Sequence, residues 1–306
     1  MLTNEEIVDV VSKIDGFTDI AEHVSDEELS LLTKKLYIHD GWLSLLRRAY
    51  NLSQHINEHN IKYNIVFTGS IGVGKSTYSE AFHFLFNHGI QEYAKLYNKQ
   101  SISPNYANIY PEYTSVHPHT SIELLNQMFY TGDRFCLQTY ITTCYLEMKK
   151  RQTKDTLLNI YERLPDDSFI IFDVDFYKNG ELSHTQLVAL MEMLDKLHKL
   201  YPSYINANYI DTIYSENSMF NNILTIISMI EDDINVSNNN EITRIIHVDT
   251  LNISTSKDNI VKRNRDGEVN AYSDEYLHNM IIRYRNMING IKHKSYTNML
   301  SFFALE

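Results

Sequence analysis

The sequence predicts a helix-rich α/β fold of three layers. A central parallel sheet of about five strands lies between helices, and a helical extension precedes it. Three observations predict this. Short β-branched or aromatic runs alternate with longer segments of helical periodicity. Glycine (10) and proline (5) are scarce in 306 residues, which favours long helices. One glycine-rich stretch, GSIGVGKST from Gly69 to Thr77, lies between a strand-like run and a helix-like one.

In chain order, residues 1–58 read as helices. TNEE (Thr3 to Glu6) and SDEE (Ser25 to Glu28) are capping-box patterns, each followed by an apolar-periodic segment. This region carries no recognisable chemistry. It reads as an extension packing on the core or on a neighbour, ahead of one domain at 59–306. KYNIVFTG (Lys62 to Gly69) is a strand running into the glycine loop, and STYSEAFHFLF is the helix after it. ANIYPEY (Ala107 to Tyr113) reads as a second strand ending at a Pro-Glu pair. TSIELLNQMFY begins a helix with a capping box at Thr120 and Glu123, and RFCLQTYITTCYLEMKKR (Arg134 to Arg151) is a further helix. DSFIIFDVDFY (Asp167 to Tyr177) reads as a buried strand ending in two carboxylates. SHTQLVALMEMLDKLHKL is helical, EITRIIHVDT (Glu241 to Thr250) is a strand, and SDEYLHNMIIRYRNMING is a helix. The Asn-rich run INVSNNNE (Ile234 to Glu241) reads as a loop.

Gly69-Ser70-Ile71-Gly72-Val73-Gly74-Lys75-Ser76 fits G-x-x-x-x-G-K-[ST] in full. Glycines let the backbone curl so that several N–H groups face phosphate oxygens, and the helix beginning there adds its positive end. The pattern defines a phosphate loop of the P-loop NTPase type. Gly69, Gly72, Gly74, Lys75, Ser76 and Thr77 are its candidate nucleotide-binding residues, with Lys75 on the phosphates and Ser76 on Mg²⁺.

With the loop, the Pro-Glu strand end and RFCLQTY in this order, the chain resembles the deoxynucleoside kinase family, which includes the cellular deoxynucleoside kinases and the herpesviral thymidine kinases. The resemblance runs from about Tyr63 to Ile288. It implies ATP and Mg²⁺ as cosubstrate and metal, and a nucleoside as the small-molecule substrate. It implies Glu112 as the base acting on the 5′-hydroxyl and as part of the magnesium shell. It implies Gln138 as the reader of the nucleobase, with Tyr140 and Arg134 beside it. Arg263 and Arg265, in RNRDGE, match a lid that would neutralise the transferring phosphoryl group. Family members are usually dimers through helices.

The chain also departs from the family pattern. The family carries an acidic residue followed by arginine at the end of its third strand. On the strand assignment above, that place reads Asp173-Val174-Asp175, keeping Asp173 as a magnesium ligand but losing the arginine. The arginine expected seven residues after Gln138 is Tyr145, and the one expected four residues before Arg263 is Asn259. Loss of one such charge commonly costs on the order of a hundredfold in rate.

Composition limits the partners. Lys+Arg number 27 against 39 Asp+Glu, a formal charge of -12, which argues against duplex nucleic acid but leaves room for a local pocket for a small anion. Cys136 and Cys144 are eight residues apart on one helix, roughly 12 Å, too far for a mutual disulfide. No signal-peptide pattern or 18-residue apolar run occurs, so neither secretion by that route nor a membrane span is expected. The 22 tyrosines and the heavy use of Asn and Ile fit an AT-rich genome such as that of a large DNA virus, and equally a surface built for aromatic contacts. A viral protein would work in the cytoplasm or nucleus of an infected cell.

Two functions follow. One is ATP-dependent phosphorylation of a (deoxy)nucleoside 5′-hydroxyl. The other is a catalytically degraded kinase fold used as a self-assembling, occlusion- or matrix-type structural protein, with the missing cations and the N-terminal extension in its favour.

Overall fold

The computed structural model describes residues 40–103, 105–151, 156–237, 239–263 and 272–294. The capping boxes at Thr3 and Ser25, as well as Arg265, lie outside them. The elements in order are α1 (Asp40–Glu58), β1 (Lys62–Thr68), α2 (Lys75–Phe84), α3 (Ile90–Leu96), β2 (Ala107–Tyr110), α4 (Pro118–Thr131), α5 (Arg134–Arg151), β3 (Leu158–Glu162), α6 (His184–Leu197), β4 (Tyr209–Tyr214), α7 (Met219–Val236), β5 (Glu241–Asp249), α8 (Ile253–Arg263) and α9 (Asp274–Lys292).

Among the described residues five strands form one sheet in the order β2-β3-β1-β5-β4, and every neighbouring pair is parallel. Side chains alternate across a strand, so β1 feeds two cores. Tyr63, Ile65 and Phe67 pack with α1, α2, α3 and α7. Val66 points the other way, towards α4, α5, α6 and α9. This is the expected three-layer arrangement. Helix α1, the described part of the N-terminal extension, buries Leu45, Leu46, Ala49 and Ile56 in the first core.

The third strand is not where the apolar run lies. Residues 165–178, read above as a strand from Asp167 to Tyr177, are helical: Pro165–Asp167, a π-helical stretch Ser168–Asp173, and Val174–Lys178. A short continuous apolar run has no periodicity that separates a buried strand from a buried helix. Pro165 starts the helix, where a missing N–H costs nothing. The strand is LNIYE, Leu158–Glu162, upstream of that run. Its Asn159 is satisfied inside the sheet, donating through Nδ2 to Asn64 Oδ1 at 3.2 Å, while Asn64 Nδ2 donates to Thr243 Oγ1 at 3.2 Å. Two smaller corrections concern ends. Helix α4 starts at Pro118, not at a Thr120 cap. In INVSNNNE, Ile234 to Val236 still belong to α7.

His247, on β5, is buried and its ring stacks on Tyr284 at 6.3 Å. Burial lowers its pKa to about 4, with Asp249 opposing the shift. An unfolded histidine titrates near 6.5, so between pH 4 and 6.5 the unfolded chain binds the extra proton. Stability therefore falls as pH drops through that window, by about 2 kcal/mol at pH 5 for this group alone. Urea denaturation at pH 7 and pH 5 should show the loss, and His247→Phe should shrink it. An unchanged difference in the variant would assign the acid sensitivity to other groups.

Candidate active site

The loop leaves β1 at Gly69, whose φ is 140°. A Cβ there would lie 2.2 Å from the Val248 carbonyl oxygen. At Gly72, with φ 78°, a Cβ would lie 2.4 Å from the backbone oxygen of Ser256. Only glycine permits these backbone conformations together with such close approaches. Lys75 opens α2, so the positive end of that helix faces the cradle. The Lys75 ammonium is buried and donates to Ser70 O at 2.6 Å. The Ser76 hydroxyl donates to Glu162 Oε1 at 2.6 Å. Thr77 continues α2.

Glu162 is the last residue of β3, and Arg163 follows it in the left-handed region at φ 67°. A buried, non-glycine residue in that region is held there by its surroundings. The Arg163 N–H donates to Phe67 O at 2.9 Å. Its guanidinium donates to Glu112 Oε1 at 2.8 Å and to Gly69 O at 3.4 Å, and lies 5.8 Å from the Phe172 ring centroid. Its Nε is buried without a partner among the described residues. One arginine thus ties the end of β3 to the acid after β2 and to the start of the loop. Burial weighs against its charge, but Tyr284 and the carboxylates of Glu112, Asp167 and Glu162 outweigh that and raise its pKa. Burial, reinforced by Glu112, raises the Glu162 carboxyl, while Lys75, Ser76 and Arg163 pull it down in part. Behind the arginine, Asp167 accepts from Thr68 Oγ1 at 2.7 Å, from the Leu164 N–H at 2.8 Å and from the Tyr204 hydroxyl.

This geometry corrects the motif assignment. The acid-arginine pair at the end of the third strand is Glu162-Arg163, not Asp173-Val174. Asp173 sits in the π-helical stretch, buried, with Oδ1 unpartnered among the described residues and its carboxyl pushed well up by burial. The strand end that suggested a magnesium ligand therefore belongs to Glu162. Pattern reading had a signal for this, the Glu-Arg before a helix-starting proline, but the apolar run drew the strand to the wrong place.

The other predicted residues fall as follows. Glu112 lies just past β2, before the short 3₁₀ turn Tyr113–Ser115. Gln138 is buried on α5, and its Oε1 has no partner among the described residues. Tyr140 shares a hydrogen bond with Ser121 Oγ at 3.0 Å, which ties α5 to α4. Arg134 is engaged by Glu181 at 2.7 Å and by Met128 O at 3.2 Å, and lies over the Phe176 ring. Tyr145 is a core residue donating to Leu164 O at 3.2 Å. Asn259, on α8, donates to Gly72 O at 2.7 Å. Arg263 ends α8. Cys136 is exposed and Cys144 buried, and both are free thiols.

A glycine cradle on a parallel-sheet strand end, a lysine and a serine at the following helix, and carboxylates with an arginine at the neighbouring strand ends define a P-loop phosphotransferase fold. Residues 65–214 match the family model for deoxynucleoside kinase, and this stretch, from β1 through β4, belongs to the deoxynucleoside kinase family. It contains the loop, Glu112, Gln138 and Glu162-Arg163. No curated protein matches the chain. Among the described residues no helix is long and apolar enough to cross a membrane.

Proposed function

We propose that the protein transfers the γ-phosphoryl group of ATP to the 5′-hydroxyl of a (deoxy)nucleoside. The observation that carries this reading is Arg163, which touches both Glu112 and the loop. The loop N–H groups and Lys75 bind the phosphates of ATP. Ser76 and Glu162 are hard oxygen donors a hydrogen bond apart, and Glu162 lacks enough positive charge nearby to ionise easily, which fits them as ligands of Mg²⁺. When bound there, Mg²⁺ neutralises charge on the β- and γ-phosphates. Glu112 accepts the proton of the 5′-hydroxyl as its oxygen bonds to the γ-phosphorus and the bond to ADP breaks. Arg163 holds Glu112 in place and offers its cationic edge to the charge on the transferring group. The unpartnered oxygen of Gln138 suits a donor on the nucleobase edge.

The competing reading, a self-assembling structural protein, drew its main support from lost cations, and Arg163 removes part of that support. Incubation of purified protein with Mg-ATP and a panel of deoxynucleosides separates the two. Turnover with at least one nucleoside, cut about a hundredfold or more by Lys75→Ala, is the expected result. No product with any nucleoside sinks the kinase reading. Large assemblies lost on removal of residues 1–39 would favour the structural one. The truncation stops there because α1 fills the first core.

A further inference from the structure

The structure assigns Asn259 as the positioning residue that aims one peptide of the phosphate loop at the nucleotide, an inference resting on the ATP-binding reading above. Helix α8 lies directly against the loop. Ser256, Asn259 and Ile260 share one of its faces, three and four residues apart. Ser256 backbone closes on Gly72 so tightly that no Cβ fits between them. Ile260 packs with Ile71 and Leu277. Between these two contacts the Asn259 amide donates to the Gly72 carbonyl oxygen at 2.7 Å.

A trans peptide is a rigid plane whose C=O and N–H point in opposite directions. The Gly72 carbonyl and the Val73 N–H belong to one such plane. Holding the carbonyl outward on α8 therefore turns the Val73 N–H towards the inside of the cradle. Glycine at 72 makes that plane easy to flip, and the buried carbonyl needs a donor wherever it points. The asparagine amide supplies a neutral donor that does not compete with Lys75 for phosphate. The residue at the place of a family arginine is thus employed in shaping the loop.

The test uses the full-length chain and three variants, titrated with Mg-ATP by calorimetry alongside thermal melting. Asn259→Asp is isosteric but turns an acceptor towards the carbonyl. Asn259→Leu removes the donor. Asn259→Gln keeps one. Mg-ATP affinity should fall about tenfold for the Asp and Leu variants, with the Gln variant closer to wild type. In the nitrogen-proton spectrum the Val73 amide should lose most of its shift on Mg-ATP addition in the weakened variants. Wild-type affinity in Asn259→Asp overturns the inference, as does a loss of affinity that only tracks a falling melting temperature across the three. If the wild-type chain binds no Mg-ATP, the functional reading fails and this one with it. Binding by the wild type and by all variants alike defeats this one alone.

Discussion

Replacing Arg163 with methionine is expected to lower nucleoside phosphorylation by about a hundredfold or more and to destabilise the fold by about 3–5 kcal/mol. Two different causes act. The activity loss reflects a missing oriented charge beside Glu112 and the loop. The stability loss reflects what stays behind, since Asp167 is fully buried and Glu112 largely so, with both carboxylates facing the guanidinium. Removing one partner of a buried pair leaves the other charge uncompensated. A second substitution separates the two. In the Arg163→Met, Glu112→Gln double variant part of the stability should return, whereas activity should not. Denaturant midpoints and kcat/KM across the four proteins of this cycle give the answer. Full activity in a folded Arg163→Met variant would remove the arginine from the mechanism and restore weight to the structural reading.

Glu162→Gln is expected to move activity and stability in opposite directions. The Glu162 carboxyl is buried, and burial with Glu112 nearby raises its pKa. For an acid so shifted, the folded chain holds a proton that the unfolded chain has released. Folding then loses stability as pH rises from the unfolded value through the folded one. A glutamine carries no such penalty and can still accept from Ser76 Oγ. At neutral pH, without metal, the variant should be as stable as wild type or more so. Its Mg-ATP-dependent turnover should fall by about a hundredfold or more, and the stabilisation that Mg-ATP gives the wild type should shrink. Thermal melts with and without Mg-ATP, read beside initial rates, check both halves. A variant that is strongly destabilised without metal would show that Glu162 is ionised and structurally required.

The phosphate loop, the helical character of α5, α6 and α9, and the strands β1, β2 and β5 were legible because each has its own local signature: glycine spacing, helical period, or a β-branched run. Strand β3 was not. Its Asn159 and Glu162 count as polar in a pattern, yet they are buried because Asn64 and Ser76 satisfy them from elsewhere in the fold. Strand β4 was missed for another reason: it is an edge strand, half-buried along most of its length, and its Asp211 pairs with Arg244 of the neighbouring strand. The apolar FIIF run of residues 169–172 looked more like a strand than the strand itself, and only packing made it a helix.

That error propagated to function. With β3 misplaced, Arg163 went unseen and three cations were counted missing. The structure restores one at the strand end, and the other two positions hold residues with evident tasks, Tyr145 in the core and Asn259 on the Gly72 carbonyl.

By itself the sequence determined that a phosphate loop is present, because Gly69, Gly72, Gly74, Lys75 and Ser76 act through backbone conformation and chain-local chemistry. What surrounds that loop was decided only in three dimensions. Glu112, Glu162, Arg163 and Asn259 come from two strand ends and a helix far apart in the chain. Their hydrogen bonds depend on strand order and on helix contacts, which no local pattern encodes.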